Sequence, residues 1–136
     1  MLGWVLIWAI AAVIMIAIDM VWLMWLGRGF YMQEIGDLLL DKPNLLPALA
    51  FYLLYSIGVT FIVIAPAIEA QSVVKALAYG LLFGLVAYGT YDLTNLAVMK
   101  GFTTKIAMID MVWGGLITAG VSAVTVKFDQ ILGLSS

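Results

Sequence analysis

Cysteine and histidine are both missing from this chain of 136 residues. Without cysteine there is no disulfide, no thiolate nucleophile and no cysteine-held iron–sulfur cluster. Without histidine, the commonest metal ligand and the usual general base near neutral pH are gone. Histidine-ligated haem, zinc–histidine centres and Ser-His-Asp catalysis are therefore excluded. Charge is scarce as well. Only 10% of residues are charged, where a soluble domain carries about 25%. The formal net charge of −2 says little about partners, and no basic cluster of the nucleic-acid-binding kind is present.

What fills the chain instead is apolar. Hydrophobic residues make up 65% of it, and the mean hydropathy is +1.16. Four apolar runs, at about 2–26, 46–68, 73–98 and 106–126, each approach the ~20 residues that cross ~30 Å of hydrocarbon as a helix. Water is absent there, so helices are the expected spanning form. The sequence predicts one all-α domain, a four-transmembrane-helix bundle surrounded by lipid. The first run lacks a basic flank, is too long for a signal peptide and contains Asp19, so it reads as a retained span. Pro47 and Pro66 fall near the ends of the second run, where they disturb a helix least.

The connections are unequal. The second and third loops are short and force antiparallel neighbours. The first is longer, and its stretch 30–40 places apolar residues at helical spacing. A short amphipathic helix in the interface and an ordinary ordered loop both fit it. Glu34 and Asp37 read as a solvated face. Loops one and three share a side and hold Arg28, Lys42, Lys100 and Lys105, whereas the other side holds Lys75 and Lys127. The positive-inside rule then puts both termini outside. So thin a bias also permits insertion in both orientations, and hence an antiparallel homodimer.

Against this background three acids stand out: Asp19, Asp92 and Asp110. Two of them occupy the same pentapeptide, Ile18-Asp19-Met20-Val21-Trp22 and Ile109-Asp110-Met111-Val112-Trp113. An acid at membrane depth costs about 2.5–3.5 kcal/mol on insertion scales. Asp19 and Asp92 lie about two helical turns, ~10 Å, below the surface of loops one and three, and Asp110 lies ~7–8 Å below it. Tyr52, Tyr55 and Ser56 of the second run reach a comparable depth. All four runs thus bring polar groups to one level.

Helical phase points the same way. Gly80, Gly84, Tyr88, Asp92 and Asn95 form one face of the third run, and Gly80-x-x-x-Gly84 is a close-packing motif. Asp110, Trp113 and Gly114 share a face, as do Asp19, Trp22 and Leu26. The expected site is a shared pocket of Asp19, Asp92 and Asp110. Around it stand Trp22, Tyr52, Tyr88, Tyr91, Asn95 and Trp113, with Thr94 as a further oxygen.

Three carboxylates in an apolar pocket cannot all stay ionised without cations. They take up protons, pair with a basic side chain or bind a metal. Their all-oxygen set suits Mg²⁺, Ca²⁺ or Na⁺ rather than zinc or copper, and Trp22 and Trp113 could face an organic cation. No dedicated cofactor is predicted. Plainer explanations exist beside these. The indoles also read as interfacial aromatics, the acids as cross-helix hydrogen-bonding groups, and the repeated pentapeptide as chance.

Asp19-x-x-Trp22, Phe51-Tyr52-Leu53-Leu54-Tyr55, Gly80-Leu-Leu-Phe-Gly84, Ala87-Tyr88-Gly89-Thr90-Tyr91-Asp92-Leu93-Thr94-Asn95-Leu96 and Asp110-Met-Val-Trp113-Gly114 together carry a resemblance. The chain resembles the bacterial predicted-membrane-protein family called domain of unknown function 2177, over nearly its whole length. Tyr91-Asp92-Leu93-Thr94-Asn95 is the most specific part. The resemblance implies a small four-span protein of the bacterial cytoplasmic membrane and implies no activity. Three functions remain open from the residues: binding or transport of a proton or cation, an enzyme acting on a lipid or isoprenoid headgroup, and an assembly subunit. Whether the chain is an enzyme is undecided at this point. Membrane lipids are its expected surroundings.

Overall fold

The computed structural model describes residues 1–39 and 44–136. Leu40, Asp41 and Lys42 of the first loop lie outside them, as does the side chain of Leu26. Among the described residues every regular element is helical. Four helices are long and apolar enough to cross a membrane: Leu2–Trp25, Leu45–Glu69, Val73–Val98 and Thr104–Leu132. The first comprises α1 (Leu2–Val21) and a wider π-turn, Trp22–Leu26. The short helix α2 (Arg28–Ile35) follows, then a 3₁₀ turn, Gly36–Leu38. The second span comprises α3 (Leu45–Val59), a π-turn, Thr60–Ile64, and α4 (Ala65–Glu69). The third and fourth spans are α5 (Val73–Val98) and α6 (Thr104–Leu132).

Local chemistry sets these ends. The side chains of Asn44, Ser72 and Thr103 accept from the first-turn amides of Leu46, Lys75 and Ile106, at 3.3, 2.9 and 3.2 Å. Each satisfies an amide that has no partner within its helix. The link between α4 and α5 is tight because Gln71 adopts φ +52°, and Ser72 N–H donates to the Ala67 carbonyl at 3.0 Å. At the far end of α6, Gly133 takes φ +64° and donates to the Asp129 carbonyl at 2.7 Å, a left-handed cap that suits glycine.

The second span ends within a residue of the expected boundary, and Pro66 lies inside it. The turn before it widens, so Ala65 N–H reaches the Thr60 carbonyl, five residues back. A proline ring crowds the carbonyl four residues upstream and supplies no donor, and the wider turn accommodates both effects. The fourth span runs to Leu132 rather than stopping near 126. Lys127 and Asp129 do not break a helix, and the first residue to do so is Gly133.

The first loop resolves in favour of a helix, but a packed one. Ile35 of α2 is buried with Phe102, Ile106 and Ala107, and Phe30, Tyr31 and Leu96 pack around them. Thr103 Oγ1 donates to Glu34 at 3.3 Å, so Glu34 is tied to the start of α6 while Asp37 is exposed.

The fourth span is the centre of the bundle. Its most apolar window is 56% buried, against 22% for the third. Ile117, Val121 and Val126 of α6 join Ile7, Ala11 and Met15 of α1 and Val59, Val63 and Ile64 of the second span in one core. The α5–α6 seam is closer than side chains would allow. A Cβ at Gly80 would stand 2.9 Å from the Ala119 Cα, and one at Gly84 would strike the Gly114 carbonyl and lie 2.8 Å from the Gly115 Cα. On the other side of the seam, a Cβ at Gly114 would enter the Tyr88 ring.

Gly84→Val is therefore expected to overpack the seam against backbone that cannot yield, at about 1–3 kcal/mol. It should lower the midpoint of thermal unfolding in detergent. Gly120→Ala meets no atom within 4 Å and should leave that midpoint unchanged or raised.

Candidate functional site

Spans one and four run in opposite directions, and this decides how the two pentapeptides meet. From the loop-one surface inward, Trp22 comes before Asp19, but Asp110 comes before Trp113. Each indole of one helix therefore levels with the carboxylate of the other. Trp113 Nε1 donates to Asp19 Oδ1 at 2.9 Å. Trp22 Nε1 donates to the Tyr31 hydroxyl at 3.1 Å, and that hydroxyl donates to Asp110 Oδ1 at 2.7 Å. The two indoles stack, with centroids 4.4 Å apart and planes 10° from parallel. Within one helix the Asp-to-Trp spacing only places both groups on a face. The antiparallel neighbour turns that spacing into reciprocal pairing.

Asp19 is 6% exposed. Besides Trp113 it accepts from the Tyr52 hydroxyl of α3, so one carboxylate joins spans one, two and four. Nearby, Tyr55 and Thr118 share a hydrogen bond of 2.8 Å, and Trp8 Nε1 donates to Ser56 Oγ at 2.9 Å. The Tyr88 ring meets Tyr55 edge-on at 6.0 Å and lies within electrostatic reach of both Asp19 and Asp110.

Asp92 is different. It is 0% exposed, yet among the described residues neither carboxyl oxygen has a hydrogen-bond partner. The acid that neighbours it is Asp110. The three acids thus do not form one symmetrical cage. Asp19 is sealed among donors, Asp92 stands beside Asp110, and the stacked indoles with Tyr31 join the two halves. Among the described residues no three acidic side chains are placed to hold one metal ion.

Of the other expected site residues, Trp22, Tyr52, Tyr88 and Trp113 come together here. Tyr91 does not. It is 58% exposed and packs edge-on against Phe102 at 6.0 Å. Its position next to Asp92 puts it about 100° away around the helix, on the outward side. Thr94 is also exposed and donates back to the carbonyls of Thr90 and Tyr91. Asn95 is half-buried one turn beyond Asp92.

Tyr31 is the participant that sequence reasoning missed. It comes from the first loop, and only the docking of α2 brings it to Asp110. Burial first, and then the adjacent Asp110 carboxylate, hold its hydroxyl above the usual tyrosine range. Gly27 permits the approach. A Cβ there would stand 3.0 Å from both the Trp22 and Tyr31 rings.

With that geometry described, comparison with known proteins adds one finding. Residues 4–127 match the family described as predicted membrane protein, DUF2177. The chain belongs to this family. No curated protein and no solved structure matches it significantly. The family's description agrees with the four apolar helices and says nothing of substrate or reaction.

Two outcomes follow from the network. Asp19→Ala would leave the Tyr52 hydroxyl and the Trp113 N–H without their acceptor, at about 1–3 kcal/mol for each buried donor. Asp19→Asn keeps one acceptor oxygen and should cost less, as thermal unfolding in detergent would measure. The Tyr31 bond has a sign in pH as well. A hydroxyl held above its ordinary value of 10.0 contributes stability that is fully present below that pH and lost above it. Unfolding midpoints should therefore fall more steeply above pH 10 in the parent chain than in Tyr31→Phe.

Proposed function

We propose that this chain is a small proton-handling carrier of the bacterial cytoplasmic membrane. In this reading Asp92 and Asp110 share and exchange one proton. The observation that carries it is Asp92, fully buried with both carboxyl oxygens unpartnered and a second acid beside it. A bare carboxylate in so dry a place costs several kcal/mol, and two adjacent ones cost more. A single shared proton removes both penalties, because the protonated acid becomes a donor to its neighbour.

The surroundings support this division of labour. Asp19 is already satisfied by Tyr52 and Trp113, so it acts as the fixed part. Asp110 accepts from Tyr31 on the loop-one side, which gives the pair a hydroxyl contact toward that surface. A divalent cation is the weaker occupant, since it needs more oxygen ligands than two acids provide, and among the described residues no third acid is placed with them. The basic residues on the side of loops one and three favour a cytoplasmic face there.

Infrared difference spectra of the reconstituted protein across a pH titration test the proposal. A protonated-carboxyl band should titrate in the parent chain and disappear in Asp92→Asn, while Asp19→Asn leaves it in place. If the band is absent in the parent, or persists in Asp92→Asn, the proton assignment is wrong.

A further inference from the structure

One buried polar group takes no part in the acid network. Thr118, Ser122, Thr125 and Asp129 recur on α6 at helical spacing, and all four are buried, from 0% to 7% exposed. They form a single inward stripe. Asp110 to Asp129 spans ~28 Å along a helix, close to the ~30 Å of a bilayer's hydrocarbon.

The upper end of the stripe is bonded to the site's neighbourhood. Thr118 meets the Tyr55 hydroxyl at 2.8 Å, and Tyr55 packs against Tyr88, which lies within reach of Asp19 and Tyr52. The lower end opens. Asp129 accepts from the Ser135 N–H and hydroxyl at 2.7 and 2.8 Å. It lines a cavity of about 370 Å³ with Ile68, Gln71, Gln130 and Ser135. At the opposite end of the bundle a cavity of about 380 Å³ lies between α2 and the third loop, lined in part by Glu34, Asp37 and Lys100.

Buried hydroxyls in apolar helices commonly bond the carbonyl one turn back. Thr118 and Thr125 do so, to Gly114 and Val121 at 2.7 and 2.8 Å. Ser122 does not. Its hydroxyl is wholly buried and has no partner at all. An unpaired buried hydroxyl is destabilising, and a water bridging to it removes that cost. Neighbouring members of the stripe are one helical turn apart, about 5–6 Å between Cβ atoms. One water spans such a gap. From the Tyr55–Thr118 bond, the parallel register of α3 and α6 brings the π-turn of the second span, Thr60–Ile64, to the level of Ser122. Turns of this kind are frequent at functional sites.

We infer that Thr118, Ser122, Thr125 and Asp129 line a single-file water path that carries protons between the acid site and the cavity at the loop-two end. This rests on the proton reading of the Asp92–Asp110 pair and adds a route and a far-side port, Asp129. Val59, Val63, Val121 and Val126, buried to 1% exposure or less, wall the same region. A water file conducts protons by passing them between oxygens, so no covalent step is involved and each proton entering at one end is matched by one leaving at the other.

The test is proton flux into proteoliposomes holding a pH-sensitive dye, driven by a potassium diffusion potential. The parent chain should acidify the lumen above protein-free vesicles. Ser122→Val, which replaces the hydroxyl with two methyl groups and fills the file, should lower the flux at least tenfold, and Ser122→Thr should retain it. Thr125→Val, nearly the same shape as the residue it replaces, serves the same purpose if Ser122→Val fails to fold. Flux in both valine variants equal to the parent, or no flux in the parent, overturns the path. The infrared band of the acid pair is read on the same samples. If the band titrates while the valine variants conduct normally, the path falls and the proton site stands. If the band is absent while Ser122→Val blocks flux, the path stands and the Asp92–Asp110 assignment falls.

Discussion

The carboxylate of Asp19 ties three of the four spans together. Tyr52 and Trp113 both donate to it, and it is shut away from solvent. In an apolar surround every such donor and acceptor must find its partner within the protein, so this one group fixes how α1, α3 and α6 stand relative to each other. The stack of Trp22 on Trp113 and the bridge through Tyr31 to Asp110 are set by the same alignment. Rotating any of the three helices would expose polar atoms to a medium that offers them nothing.

The fourth span and its seam with the third supply the complementary constraint. Glycines on both faces bring α5 and α6 to backbone contact. Asp92 is carried into the interior by the same face of α5 that carries Gly80 and Gly84. One acid is thus saturated with donors, and another, one helix away, has none. That contrast divides the site into a bonded anchor, Asp19, and an acid, Asp92, whose carboxyl oxygens meet no partner among the described residues.

Much of the fold is legible in the residues, because hydrophobic length and helical phase are local properties. The four spans and the inward face of α5 follow from them. What escapes is decided between segments. Tyr31 reaches Asp110 only because α2 packs on Phe102 and Ile106, and no spacing within the first loop encodes that. Tyr91 belongs to the most distinctive motif in the chain, yet it points outward, since adjacent positions on a helix diverge by about 100°. The stripe from Thr118 to Asp129 was within reach of a periodicity argument. It is lost when the last span is ended at Val126, before Asp129 is counted.

The sequence by itself determined a helical membrane protein with acids at a common level. Apolar length and a carboxylate's dislike of hydrocarbon are properties of single residues and short runs, and they need no partner to be read. Only the tertiary structure decided which acid is satisfied and which is bare. Hydrogen bonds between helices depend on direction and rotation, and the antiparallel placing of α1 against α6 crosses the two identical pentapeptides, giving Trp113 to Asp19 directly and Trp22 to Asp110 through the Tyr31 hydroxyl.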